Sequence, residues 1–290
     1  MAQQKQTLRP LPTALLNPRY DFAFKAMFTQ ETRESHDALQ DFISTLLSRN
    51  ITEIALLPNE PPVETADGNQ MSFDVSVKFD DGERVDLEIQ SRDRSYNYGA
   101  RAEIQVARLM SASNRKGEHW KTPPVYQISV LNFEYDKDDS APLSWYTMRK
   151  ENGGTLGGRL NILFFDLIKT RRLLGTPPEQ LTKLQKWGLF LSYADDERHV
   201  EYIDRLTRTE EGIMNAKSAL LEVSQDEINW ARENSIFKAQ RDRNEELYCA
   251  VERGVHNNAV ETARRLLQTN LTVEQIAEAT GLPLDEVRTL

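Results

Sequence analysis

Phe73-Asp74-Val75-Ser76-Val77-Lys78-Phe79 and Arg84-Val85-Asp86-Leu87-Glu88-Ile89-Gln90 each alternate apolar and polar residues without a break. That period of two is the signature of a β-strand, and Asp80-Asp81-Gly82 between them is turn chemistry, so the stretch predicts an antiparallel hairpin. Matching apolar to apolar fixes the register, because a slip of one residue would turn every side chain to the wrong face. Val75 then faces Leu87, Val77 faces Val85 and Phe73 faces Ile89, while Asp74 falls opposite Glu88 and Ser76 opposite Asp86. Directly opposed residues have Cβ atoms about 5 Å apart, so Asp74 and Glu88 would repel unless a cation lies between them. Mg²⁺ suits that place, being a hard ion that takes one or two carboxylates and keeps several waters. Gln90 shares the face of Glu88 and can orient a water or touch a phosphate, although it cannot titrate. The same four polar residues, Asp74, Asp86, Glu88 and Gln90, also read as the solvated face of an exposed hairpin.

Outward from the hairpin, apolar residues recur at helical spacing over Asp21 to Phe28, His36 to Leu47 and Tyr98 to Met110. Val125 to Phe133 and Leu160 to Phe165 read as further strands, bounded by the charged stretch Asp136 to Ser140 and the Gly-rich stretch Asn152 to Gly158. From Pro178 onward the pattern is helical almost throughout. The segmentation expected is an N-terminal arm (1–16), an α+β domain (17–175), a helical extension (176–235) and a C-terminal helical module (236–290). Leu271 to Val287 has the helix, Gly281 turn and second helix of a helix-turn-helix. The 290 residues carry a formal net charge of −9, with 39% hydrophobic and 28% charged residues, which fits a globular protein with a sizeable core. A single cysteine, Cys249, excludes an internal disulfide framework and a Cys-rich zinc site. No run approaches ~18 apolar residues, so no membrane span is expected. The polar start lacks a secretory pattern, and a cytoplasmic location is the expectation.

Asp74 followed by Glu88-Ile89-Gln90 resembles the D…(D/E)-x-K core of PD-(D/E)XK phosphodiesterases, with Gln90 in the lysine position. Leu16-Asn17-Pro18-Arg19-Tyr20-Asp21-Phe22-Ala23-Phe24-Lys25-Ala26-Met27-Phe28 is similar to the opening helix of one branch. Leu87-Glu88-Ile89-Gln90-Ser91-Arg92-Asp93, Tyr98 with Arg101, and the strand Ile128 to Phe133 follow in that branch's order. Together they resemble the Rpn family of recombination-promoting nucleases, also described as transposases, over roughly Leu16 to Asp195. The resemblance implies a restriction-endonuclease-like α/β/α core with a mixed sheet, followed by a helical C-terminal region. It also implies Asp74 and Glu88 as metal ligands, with the Ile89 carbonyl as a further one. Gln is common at position 90 in this branch, so the departure is from the wider superfold.

Asp21 and Lys25 share a helix face, one joining the outer shell of the metal and the other meeting a phosphate; as plain residues they also read as a surface i,i+4 ion pair. Ser91 to Lys121 holds seven basic residues (Arg92, Arg94, Arg101, Arg108, Arg115, Lys116, Lys121) against three acidic ones (Asp93, Glu103, Glu118). Arg101, Gln105 and Arg108 fall on one face of the helix after the catalytic strand and, with Arg92 and Lys25, are the expected DNA contacts; a solvated cationic face is the alternative. Tyr96 and Tyr98 are placed to stack on sugar or base. Arg264 to Leu290 has three basic and four acidic residues, which favours a packing module over a groove-reading one. The four histidines show no metal spacing, the tryptophans read as core or interface anchors, and no phosphate-binding Gly loop or nucleophile elbow is present.

The expected activity is Mg²⁺-dependent hydrolysis of backbone phosphodiesters by a DNA endonuclease of low sequence specificity, with Mn²⁺ or Ca²⁺ as substitutes. Asp74, Glu88, Gln90 and Asp21 form the catalytic set. The expected partners are DNA and a second copy of the chain, with no organic cofactor and no membrane. The alternative is a DNA-binding or regulatory protein on an impaired nuclease fold, motivated by Gln90.

Overall fold

The computed structural model of the protein describes residues 15–57, 74–91, 97–113, 122–223 and 225–290, with the side chains of 225–242, 244 and 245 left aside. Two compact units emerge. One holds the described residues up to Ile236, Asn97 excepted, and the other runs from Phe237 to Leu290.

The first unit is built on a six-stranded mixed sheet of order β1-β2-β3-β4-β6-β5. Its strands are β1 (Ile54–Leu57), β2 (Val75–Phe79), β3 (Arg84–Gln90), β4 (Val125–Leu131), β5 (Leu143–Thr147) and β6 (Leu160–Asp166). β3, β4 and β6 run parallel, while β1, β2 and β5 pair antiparallel with their neighbours. The β2–β3 register is Val75↔Leu87, Ser76↔Asp86 and Val77↔Val85, as the apolar alternation requires; Phe73 lies outside the described residues. The turn closes with Gly82 at φ +89°, a conformation open to glycine. Two edges escaped the sequence pattern: β1 and β5 are short, half-exposed strands, and β4 ends two residues before Phe133.

Helices α1 (Asp21–Thr29), α2 (Arg33–Leu47), α5 (Lys183–Tyr193), α6 (Val200–Thr207) and α7 (Glu211–Glu222) bury their apolar stripes together against one face of the sheet. Helix α2 starts three residues earlier than its apolar period suggests, because the Thr32 hydroxyl accepts from Ser35 N and caps it. The core there is aromatic: Phe28 stacks on Phe42, whose ring centroid lies 4.8 Å from that of Trp187. Trp187 is fully buried and its Nε1 donates to Asp41 Oδ2 at 3.0 Å. Helix α3 (Tyr98–Ser113) lies on the opposite face, where Val106 and Leu109 pack on Val125, Leu160 and Ile162. The short α4 (Leu167–Arg171) follows β6 directly, capped by the Asp166 carboxylate. The result is the α/β/α arrangement with a mixed sheet.

Helix α8 (Gln225–Leu266) leads to α9 (Val273–Thr280) and α10 (Leu284–Thr289). In the second unit Ala263, Ile276, Leu282 and Val287 form a small core of their own. Thr272 and Gln275 make a capping box at the start of α9, and Gly281 at φ +72° ends it.

Candidate active site

β3 is flanked by β2 and β4, and both of its faces are covered. The polar side of the hairpin is therefore not a wet surface. Asp74, Asp86 and Glu88 are fully buried, and Ser76 and Gln90 are 3% exposed. Continuing the β2–β3 register by one residue sets Asp74 against Glu88. In this register Leu87 and Ile89 turn both N–H and C=O toward β2. Asp74 sits just ahead of β2, and its Oδ2 accepts the Ile89 N–H at 3.2 Å.

Helix α1 delivers Lys25 to this point. Its Nζ lies 3.2 Å from Asp74 Oδ1 and 3.7 Å from Asp21 Oδ2, with the lysine fully buried and the Asp21 side chain 20% exposed. Three contacts fix the helix. Ser91 Oγ donates to Arg19 O at 2.7 Å, tying the start of α1 to the end of β3. Gln30 Nε2 bridges Ala26 O and Ala219 O, and Ser35 Oγ donates to Met27 O. Asp21 and Lys25 are thus not a surface pair: Lys25 points inward, and its charge is spent first on Asp74.

From the other side α3 serves Glu88. Gln105, 2% exposed, donates from Nε2 to Glu88 Oε1 at 2.7 Å, and Arg101 NH2 lies 3.6 Å from Oε2. Gln105 therefore faces the carboxylate where the sequence suggested a DNA-facing position. Arg101 is mostly covered and only Arg108 is exposed. The helix is seated by Tyr98, whose ring meets Phe133 edge-on and tilts onto Phe164. Arg92 and Tyr96 lie outside the described residues.

Residues that the sequence reading left out complete the surroundings. The parallel β3–β4 register puts Gln127 beside Asp86 and Ser129 beside Glu88, both fully buried. Neither the Gln127 amide nor the Ser129 hydroxyl has a hydrogen-bond partner among the described residues, and the same holds for Glu88 Oε2 and Gln105 Oε1. Two polar residues spaced two apart, Gln127 and Ser129, in the middle of the otherwise apolar Val125–Leu131 strand were the readable sign. Asp166 lies in register with Gln90 through Leu131. Burial pushes its carboxyl above the usual range, against the lowering effect of the Lys169 and Ile168 N–H groups.

A divalent ion fits this donor set. The two carboxylates and the carbonyl edge of β3 are hard oxygen donors, and Glu88 Oε2 is a buried oxygen lacking a hydrogen bond. Among the described residues no group of three or more His, Cys, Asp or Glu gathers to hold a metal, so at this site two carboxylates and backbone oxygen are the protein donors.

A mixed sheet between helical layers, with Asp74 buried just ahead of β2 and Glu88 buried on β3, is a nuclease-type fold. The chain belongs to the PD-(D/E)XK nuclease family transposases: that family's model matches residues 18–250, further than the Leu16 to Asp195 over which the motifs are recognisable. Nucleases of this superfamily generally use divalent metals and act on DNA. Comparison with curated proteins and with solved structures gives no match. No helix among the described residues is long and apolar enough to cross a membrane.

Proposed function

We propose that this chain is a Mg²⁺-dependent DNA endonuclease of low sequence specificity, acting in recombination, on mobile elements or in phage defence. The observation that carries this reading is the pair of fully buried carboxylates, Asp74 and Glu88, set against each other where β2 begins and each matched to a cation from a different helix. Asp74, Glu88 and the Ile89 carbonyl would hold the ion, which supplies charge neutralisation at the phosphate and a more acidic bound water. Lys25 fixes Asp74 and brings a positive charge behind the phosphate position, with Asp21 holding Lys25. Gln90, at the end of β3, orients the attacking water. Gln105 holds Glu88, and Arg101, Arg108 and Arg92 grip the strand. The same reading takes Mn²⁺ or Ca²⁺ as possible substitutes, a homodimer as the form that cuts both strands, and a cytoplasmic location.

The experiment is cleavage of supercoiled plasmid with Mg²⁺ or with EDTA, alongside Asp74→Asn and Glu88→Gln. Nicking or linearisation that needs both metal and carboxylates supports the enzyme. Intact plasmid under Mg²⁺, Mn²⁺ and Ca²⁺ alike refutes it. Gln90 in the lysine position favours one second reading, a DNA-binding protein on an inactive nuclease fold. Metal-independent binding without cutting would identify that case.

A further inference from the structure

Glu88 is served by two residues of α3 that differ in how firmly they hold it. Gln105 makes a 2.7 Å hydrogen bond to Oε1 from a buried position. Arg101 lies 3.6 Å from Oε2, beyond hydrogen-bonding distance, so this contact is charge alone. Oε2 is also the buried oxygen with no hydrogen bond, which makes it the one a hard cation would take. Two cations cannot share it without repelling each other.

Exposure separates the two α3 residues further. The Arg101 side chain is 15% exposed, so it reaches a bound strand only by leaving Glu88. Its guanidinium already lies 5.9 Å from the centre of the Tyr98 ring, an aromatic face that can receive a cation. Gln105, one turn further on and buried, has no such route out.

We infer that Arg101 and a divalent ion compete for Glu88 Oε2, and that Arg101, once displaced, becomes a phosphate contact while Gln105 stays on Oε1 as a positioning residue. This rests on the nuclease reading above. It makes metal and DNA binding mutually reinforcing: the ion frees the arginine that the strand needs, and linkage requires the strand to favour the ion in return.

The test is Mn²⁺ titration followed by electron paramagnetic resonance, which reads affinity without any cleavage. Arg101→Met is expected to bind Mn²⁺ about tenfold tighter, the low end of what a cation ~4–6 Å away does to a carboxylate's proton affinity. Arg101→Lys, which keeps a charge, should stay near the wild type, and Gln105→Leu should bind more weakly. Fluorescence anisotropy on a phosphorothioate duplex supplies a second readout. Arg101→Met should lose DNA affinity with Ca²⁺ present and keep it in EDTA. Unchanged or weaker Mn²⁺ binding by a folded Arg101→Met protein overturns the competition, as does equal loss of DNA affinity with and without Ca²⁺. Absence of Mn²⁺ binding in the wild type, or binding that Glu88→Gln leaves intact, instead removes the nuclease reading beneath it.

Discussion

Removing the Asp74 carboxylate should damage the fold as well as the chemistry, and the two effects can be separated. Asp74→Ala strands the Lys25 ammonium, which is fully buried and 3.2 Å from the lost oxygen. Breaking a buried pair by deleting one partner costs about 3–5 kcal/mol. Asp21, 3.7 Å from the same ammonium and partly exposed, holds the cost toward the lower end. The Ile89 N–H loses its acceptor as well, which adds about 1–3 kcal/mol where water does not replace it. For a unit of this size a total of roughly 3–6 kcal/mol lowers Tm by about 6–24 °C. Lys25→Met removes the stranded charge while keeping an apolar chain of similar length. The double variant Asp74→Ala/Lys25→Met should therefore be more stable than Asp74→Ala alone. Equilibrium urea unfolding of the wild type, both singles and the double gives the coupling, expected at about 2–3 kcal/mol. Single effects that simply add within ~0.5 kcal/mol would show that the pair is not coupled and that the reasoning is wrong. Asp74→Asn retains an oxygen for Ile89 N–H, so it is the better variant in a cleavage assay.

Two further perturbations test other parts of the fold. A Cβ at Gly212 would overlap the Asp41 carboxyl group, and Asp41 also accepts from Trp187. Gly212→Ala should therefore cost about 1–3 kcal/mol by urea unfolding, and a neutral result would mean that α7 can retreat freely from α2. Burial raises the Asp166 carboxyl, so the folded state binds its proton more tightly than the unfolded chain. That group's contribution to stability must fall as pH rises from the ordinary carboxylate value through the raised one, and Asp166→Asn, which can still cap α4, should flatten this slope. An unaltered pH–stability profile in thermal melts would refute the assignment.

The hairpin register was legible because alternation of Val75, Val77, Val85, Leu87 and Ile89 leaves one pairing that keeps apolar residues together. The burial of Asp86, Glu88 and Gln90 was not, since it depends on α3 lying across the sheet, and the period of two says nothing about what covers the polar side. Gln105 shows a reading that could have been sharper. Tyr98, Ala102, Gln105 and Leu109 recur at i, i+4, i+7 and i+11, which sets the glutamine on the buried stripe, whereas pairing it with Arg101 and Arg108 sent it outward. The edge strands β1 and β5 were missed for a different reason. Leu56, Trp145 and Tyr146 are large apolar residues left exposed, so neither strand shows an inward and outward alternation. Asp21, Lys25, Asp74 and Glu88 can be named from the sequence, but the inward course of Lys25 depends on the tertiary ties through Ser91 and Gln30.

Lys25 on Asp74 and Arg101 on Glu88 have a consequence for assembly. Two like charges at facing positions would ordinarily make a metal an obligatory folding ligand, as in small domains that melt under a chelator. Here each carboxylate has an internal counter-charge, so the scaffold can mature in the absence of any ion and stay stable under EDTA. On the proposed nuclease reading, chelation would switch the chemistry off reversibly, with no refolding needed to restore it.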